Sequence, residues 1–364
     1  MHQNLKSSFE QGWNSVAIVD TNAILHNLRT LKTMSGGEDL KQMAVVKANA
    51  YGHGAVDVAI AVRDQVQWFG VSSVREGMEL RQAGIMKPIM VFGTPFSESV
   101  RFYTEYGLTA VLSQLHHFDI LIPGTSYHIK FDTGMGRVGF RPEQLDDVLR
   151  AVESRMDVHL GGVMTHFASA EESDAHVFDQ QLSTFNSIRK SFGKQVMIHA
   201  ANSAASLHQQ GVGFDMIRSG VAMYGFDPRG NYNPALKPAM EWYSRLAQVR
   251  FMRKGEGVSY SHSFHLPDDG YIGVIPVGYA DGLPRRLRNR LHVKIGDKVY
   301  PQVGNVTMDQ IMVYLGQDQP DTSEPVLLMG GTSEHSVYRW AELLETIPYE
   351  VTSVIGNRVK REYF

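Results

Sequence analysis

Residues 42–54 read QMAVVKANAYGHG: an apolar run ends in Lys47 and gives way to small residues, Tyr51 and two glycines. A run of that length bounded by a glycine turn is the pattern of a buried parallel strand that delivers one side chain to its carboxyl end. An ammonium ion at such a place is costly to bury unless it is paired, neutralised or used covalently. Two readings of Lys47 fit. It can snorkel to water from the strand end, or it can form a Schiff base with an aldehyde cofactor, desolvation lowering its pKa so that the freed amine also serves as a base.

Working outward, residues 17–218 alternate short β-branched or apolar runs with amphipathic stretches. The pattern predicts strands at 42–47, 68–71, 89–92, 109–111, 128–131, 160–165, 196–199 and 216–218, and helices at 56–63, 76–82, 142–154 and 178–192, with an extra helix at 21–31 before the first barrel strand. Eight strand–helix repeats argue for an α/β fold, a (β/α)8 TIM-type barrel. After Pro238 the texture changes to short strand-like runs at 245–252, 258–264, 271–277, 291–295, 306–314 and 325–329, separated by Gly, Asp and Pro, with one helical stretch at 338–345. The expected organisation is a barrel over residues 13–240 and a mostly β carboxyl-terminal domain over 241–364, with segment 1–12 a candidate to join it.

The 364 residues are 43% hydrophobic and 20% charged with a formal net charge of −3, so no basic excess marks a nucleic-acid or acidic-membrane binder. The chain has no cysteine, which removes disulfides, thiolate nucleophiles, iron–sulfur clusters and cysteine zinc sites. No metal site is expected. The amino terminus lacks an apolar signal core and no run is long enough to span a bilayer, so a cytoplasmic protein with a small-molecule substrate is the expectation.

In a barrel of this kind chemistry sits at the carboxyl ends of the strands. Lys47 ends the first, Asp132 and Arg137 follow the fifth, His166 follows the sixth, Asn202 and Ser203 follow the seventh, and Arg218 ends the eighth. Asn202 and Ser203 open a predicted helix, and the RSGVAMYG loop adds the amides of Gly220 and Val221, so free N–H groups there make a phosphate cup. Each residue also has a plain structural reading: Asn202 and Ser203 as a helix cap, Arg137 as a solvated turn arginine, His166 as a satisfied strand-end histidine. Their shared placement favours a site.

The motifs AVVKANAYGHGA, KFDTGMGRVGF, MTHFA, HAANSAA, IRSGVAMYG, GVSYSHSF, VGYADGLPR and VGNVTMDQ, in this order along almost the whole chain, resemble those of the pyridoxal-phosphate-dependent alanine racemases. The resemblance implies a racemase that interconverts L- and D-alanine with pyridoxal 5'-phosphate and supplies D-alanine for peptidoglycan. It also implies a homodimer with shared active sites. Lys47 would hold the cofactor, with Tyr51, Asn202, Ser203 and the Val221 amide around its phosphate. Arg137 would reach the cofactor's phenolic oxygen and the substrate carboxylate, supported by Lys130, a candidate for carbamylation. Arg218 would face the pyridine nitrogen with His166 beside it. Tyr260 of the partner subunit would be the second base, and Tyr279 and the Met308 amide would shape the substrate's carboxylate site. Read without the resemblance, Tyr260 is an ordinary strand tyrosine, and Tyr279 and Met308 are core residues.

Racemisation removes a proton from one face and delivers another to the opposite face, which two bases accomplish simply. A tyrosine with a pKa of about 10 is a poor base at neutral pH. Positive charge at Arg218, relayed through His166, offers a route to lower it. A guanidinium does not give up its proton, so Arg218 would leave the pyridine nitrogen largely unprotonated and weaken the electron sink. Ser261 and His262 beside Tyr260, and Asn357 where some members carry a tyrosine, depart from the family pattern and bear on substrate breadth. The alternatives are a racemase of another small amino acid such as serine, which pocket contacts separate by only a few kcal/mol, and a barrel that binds pyridoxal phosphate without racemising. A related decarboxylase is disfavoured because that group uses a cysteine.

Overall fold

The computed structural model describes residues 2–37, 39–172, 174–332 and 334–364. They form two compact units, Ala23–Ala50 with Ala55–Lys237, and Met1–Asn22 with Tyr51–Gly54 and Pro238–Phe364.

Eight parallel strands build the first unit: Lys41–Val45, Trp68–Val71, Ile89–Val91, Leu108–Leu112, Ser126–Lys130, His159–Met164, Met197–His199 and Met216–Ser219. The first seven pair in chain order, each with the next, and the eighth pairs with the first, with Lys41 opposite Met216. Backbone hydrogen bonds from Asp215 to Ile198 (2.9 Å) and from Arg218 to Ala201 (3.0 Å) link the seventh and eighth strands and close the barrel. Strands covered on both faces need continuous apolar runs, and Leu108–Leu112 and Ile89–Val91 are buried throughout. Helices Ala55–Val62, Val74–Gln82, Leu145–Ser154 and His176–Arg189 follow the first, second, fifth and sixth strands. The shorter helices Arg101–Glu105 and His116–Ile120 escape a pattern reading because five residues carry barely more than one turn of periodicity.

The first strand stops at Val45, two residues short of the expected end at Lys47. Val46 still donates to Gly70 (2.9 Å). Ala48, Asn49, Ala50 and Tyr51 then take φ values of 52–53°, a left-handed turn built from four non-glycine residues. Each residue in that region costs roughly 1–2 kcal/mol, so the surroundings must hold it. They do so through Ala50 N to Val46 O (2.8 Å), Asn49 Oδ1 accepting from Ala55 N (2.9 Å), and Glu76 Oε1 accepting from Ala48 N (2.8 Å).

The second unit is built on a nine-stranded, largely antiparallel sheet in the order Gln248–Met252, Gly270–Ile275, Ile311–Gly316, Lys298–Val303, His292–Ile295, Pro325–Met329, Met240–Arg245, Ser15–Val19 and Lys360–Tyr363. Met240–Arg245 and Ile311–Gly316 alternate buried and half-buried residues, as a sheet with one packed face requires. Trp242 packs on Trp340 of helix Val337–Leu344 with ring centroids 6.0 Å apart.

Several boundaries move relative to the sequence reading. Ser15–Val19 pairs antiparallel with Met240–Arg245 and parallel with Lys360–Tyr363, so residues 13–22 lie with the β unit and not with the barrel. The 245–252 run splits into two strands. The 258–264 run is broken by a turn, and the 306–314 run begins as a loop before Ile311. Helices His2–Glu10 and Pro348–Ser353 were not foreseen. Among the described residues no helix is long and apolar enough to cross a membrane.

Candidate active site

The barrel carries Lys47, Lys130, Arg137, His166, Asn202, Ser203, Arg218 and Val221, all on its strand ends or the loops that follow. Burial, reinforced by the Arg137 charge, lowers the pKa of the half-buried Lys47 amine, against a smaller opposing pull from Glu76. Lys130, the last residue of the fifth strand, is 9% exposed. Its amine is pushed down to about 8, chiefly by burial and then by Arg137 and Arg218. Two amines and two guanidinium groups thus crowd one region, an arrangement that favours neutral amines and anionic ligands.

Asp132 builds the loop that presents Arg137. Its Oδ1 accepts from the amides of Gly134 (3.0 Å), Met135 (2.8 Å) and Gly136 (3.1 Å), and its Oδ2 from Arg137 N (3.1 Å). Burial alone would raise this carboxyl, but the four N–H groups outweigh it and hold the group below the usual carboxylate range.

Arg218 is 3% exposed and, among the described residues, meets no carboxylate within ion-pair distance. One guanidinium nitrogen donates to Nδ1 of His199 (3.0 Å), and the other faces Thr165 O (2.8 Å), Ala200 O (2.8 Å) and Nδ1 of His166 (3.1 Å). Burial pushes Arg218 down to about 9. Burial, followed by the Arg218 charge, holds both His166 and His199 well below the ordinary histidine range, so both rings are neutral. A neutral ring whose Nδ1 accepts from a guanidinium must carry its proton on Nε2. His166 therefore carries its proton on Nε2, which stands 3.5 Å from the Asn202 amide nitrogen.

Asn202 caps helix Ser203–His208 by accepting from Ala205 N (3.0 Å). Ser203 Oγ accepts from Gly220 N (3.0 Å) and Ala222 N (3.2 Å), the amides on either side of Val221. Val221 opens the 3-10 turn Val221–Tyr224, so its N–H has no acceptor within that turn. Two helical turns thus start side by side, which suits an anion such as a phosphate.

Tyr51, Tyr260, Tyr279 and Met308 lie in the β unit. Tyr51 meets Tyr349 edge-on at 6.4 Å, and burial followed by Tyr349 raises its hydroxyl's pKa. The two glycines after it lie so close to Thr352 and Tyr363 that a side chain at either position would overlap them, and both have positive φ. Tyr260 sits on a 3-10 turn, Tyr260–His262, and not in the strand a composition reading suggests. The turn is strained: Ser259, Ser261 and His262 have φ of 65°, 58° and 43°. Asn305 Nδ2 holds it by donating to Tyr260 O (2.7 Å), and Arg288 fixes Asn305 from the other side (3.0 Å). The outcome is a tyrosine 74% exposed on a hydrogen-bonded turn. Tyr279 and Met308 are not core residues either, at 44% and 52% exposure. Hydrogen bonds from Tyr279 N to Thr307 O (3.0 Å) and from Ala280 N to Met308 O (3.1 Å) bring them together. The buried Asp281 accepts from Gly278 N (2.8 Å) and meets Arg358 (3.2 Å), which also binds Asp309 (2.8 Å), so the segment carrying the exposed Asn357 is clamped to the same turn.

The sequence reading passed over Glu76, His199 and His128. Glu76 was marked by the S-x-x-E spacing from Ser73, which forms a capping box while the same carboxylate reaches Ala48 N. The two histidines were marked only by standing inside apolar strands.

A barrel with an anion-suited rim and depressed amines, accompanied by a β-rich unit, defines a two-domain α/β-barrel protein with a candidate active site at its strand ends. Residues 19–228 match the family described as "Alanine racemase, N-terminal domain", and residues 239–363 match "Alanine racemase, C-terminal domain". A protein named alanine racemase from Streptococcus equi subsp. zooepidemicus is 36% identical over 360 residues, covering 96% of this chain and 98% of that one. The alanine racemase structure from E. faecalis superposes with a TM-score of 0.91 at 35% identity, covering 97% and 99% of the two chains. That of the Bacillus anthracis enzyme, described as holding bound L-Ala-P, gives 0.89 at 34% identity over 97% and 95%. The chain belongs to the alanine racemase family.

Proposed function

We propose that this protein interconverts L- and D-alanine with pyridoxal 5'-phosphate as cofactor, in the cytoplasm, as a homodimer that supplies D-alanine for peptidoglycan. The observation that supports this best is the pairing, on one barrel, of a Lys47 amine whose pKa burial lowers with a buried Arg218 that, among the described residues, has no carboxylate within ion-pair distance. When bound, the cofactor supplies an aldehyde that takes up amines and a conjugated ring that acidifies the α-carbon.

The residues fit such a group. Lys47 would hold it through its amine, and the N–H groups opening the turns at Ser203 and Val221, with Asn202 and Tyr51, would bind its phosphate. Arg218 would face the pyridine nitrogen as a permanent donor that keeps the ring a modest electron sink. Arg137 would reach the phenolic oxygen and the substrate carboxylate. Carbamylation of Lys130 would convert a crowded cation into an anion beside Arg137 and relieve the charge repulsion there. Tyr279 and the Met308 amide would bound the substrate carboxylate.

Lys47 would take or return the α-proton on one face, and burial, which lowers its pKa, favours the free amine that this needs. Tyr260 of the partner subunit serves the opposite face. The Nε2–H that Arg218 imposes on His166 is a donor suited to steadying a phenolate. The high exposure of Tyr260, Tyr279 and Met308 supports a site that a partner subunit covers.

The test combines labelling with stereochemistry. The protein, loaded with pyridoxal phosphate and treated with borohydride, should carry the cofactor's mass on the Lys47 peptide, and untreated enzyme should convert L-alanine to D-alanine. A label on another lysine would remove Lys47 from its role. Cofactor binding without D-alanine would leave only a pyridoxal-phosphate carrier, and faster turnover of L-serine than of L-alanine would reassign the substrate.

A further inference from the structure

One hydrogen-bonded chain crosses the barrel core and continues beyond the residues assigned to the reaction. From His166 it passes through Arg218 to Nδ1 of His199 (3.0 Å), and from Nε2 of His199 to Nδ1 of His128 (2.8 Å). His128 and His199 are both fully buried. The far nitrogen of His128, Nε2, is buried with no protein partner, and His128 is among the residues lining a cavity of about 470 Å³ at the other end of the barrel, with Trp68, His159, Gly161 and Met197.

The direction of every proton in the chain follows from Arg218, which can only donate. His199 Nδ1 must accept, so His199 Nε2 carries the proton and donates to His128 Nδ1. His128 in turn is protonated at Nε2. Burial, followed by His159 and Arg218, pushes His128 down to about 3, consistent with a neutral ring.

The barrel makes specific room for this imidazole. The pairing between the fifth and sixth strands slips between Tyr127 and His128, leaving Gly161 as the extra residue of a bulge. A Cβ at Gly161 would stand 2.9 Å from His128 Nε2, and one at Gly162 would stand 2.5 Å from Nδ1 and Cε1. Trp68 closes the third side edge-on at 5.4 Å. Two adjacent glycines in a buried strand weaken it, and here they admit one ring.

We infer that His128 is a positioning residue for Arg218: its Nδ1 locks His199 in the tautomer that receives the guanidinium, and so holds Arg218 in the orientation the reaction needs. Without that acceptor the Nε2–H of His199 is a buried orphan, and the ring gains a reason to turn or to change tautomer. A hydrogen bond that a group donates also strengthens the one it accepts, so the His128 link makes His199 a better acceptor for a charge that has no carboxylate. The inference rests on the role of Arg218 given above.

Two substitutions separate this from a packing role. His128→Asn keeps an acceptor where Nδ1 stood and gives up Nε2, which has no protein partner to lose. His128→Gln keeps a polar group near Nε2 and gives up the acceptor facing His199. The Asn variant should retain kcat within about threefold of the unaltered enzyme, whereas the Gln variant should lose about 10–100-fold in kcat with little change in KM. In parallel, 15N-histidine NMR of the full-length holoenzyme should show His199 protonated at Nε2 alone in the unaltered protein and in the Asn variant, and a mixed or reversed tautomer in the Gln variant. Equal kcat and equal His199 tautomers in the Asn and Gln variants would overturn the inference, as would a His199 protonated at Nδ1 in the unaltered protein. The NMR result stands whether or not the protein racemises alanine, so failure of the proposed function and failure of this inference are read separately.

Discussion

Arg218 donates to Nδ1 of His166 over 3.1 Å, which makes the half-buried imidazole a neutral donor through Nε2. A cation and a forced tautomer thus come as one unit, and replacing Arg218 changes both. With Arg218→Glu, His166 loses the charge that depresses it and gains an anion that favours its protonated form. The ring nitrogen of the cofactor would then also hold a proton, and the electron sink would deepen. Racemisation should fall by at least about 100-fold, while pyruvate, the keto acid of a transamination side reaction, accumulates from alanine. A chiral assay and a pyruvate assay on the same sample read both changes. Neither change would make Arg218 a scaffold residue.

The Asp132 loop gives a prediction in stability. Four amides bind this one carboxylate, and its pKa is depressed in the folded state, so its contribution is full above the unfolded value of about 4 and fades as the pH falls through the folded value. Asp132→Ala leaves those amides to water or to no partner and should cost about 1–3 kcal/mol. Thermal melting should show a constant gap between variant and unaltered protein from about pH 5 to 8, narrowing below about pH 4. A gap that widens in acid would contradict the assignment. Arg137 shares the loop, so the same variant should raise KM for alanine.

The barrel was legible because its eight strands are local apolar runs, each recoverable to within two residues at its ends. Ser15–Val19 was not, because its partners lie at Met240–Arg245 and Lys360–Tyr363, and pairing over such sequence distances leaves no mark in the strand itself. Lys47 stood out by its chemistry, but the left-handed turn that follows it was hidden, since Ala48 and Ala50, unlike Asn49, normally avoid positive φ. Tyr260 shows the same limit. A strained mount held by Asn305 and Arg288 is a tertiary fact, and VSYSHSF alone reads as a strand. The polar rim followed from strand ends, whereas the His128–His199 link runs inside the barrel, where a histidine reads as filler.

A site completed by a partner subunit can be tested by mixing two inactive proteins. Lys47→Ala and Tyr260→Phe subunits, allowed to exchange, form mixed dimers in which one site receives both defects and the other receives neither. About half of randomly assorted dimers are mixed and each has one good site, so activity should return to roughly a quarter of the unaltered level. No recovery after proven exchange would place both residues in the same subunit's site or remove Tyr260 from the chemistry.

The most direct measurement of the two-base account follows α-hydrogen exchange in deuterated water with the Tyr260→Phe enzyme. Lys47, intact on its face, should still exchange the α-hydrogen of D-alanine, the enantiomer that the resemblance to the racemases implies for it, faster than L-alanine forms, while exchange from L-alanine is lost. Proton NMR of each enantiomer with chiral analysis of the products reads all of these rates. Retained one-sided exchange with blocked racemisation is the result the account predicts; equal loss of exchange from both enantiomers, or undiminished racemisation, would contradict it.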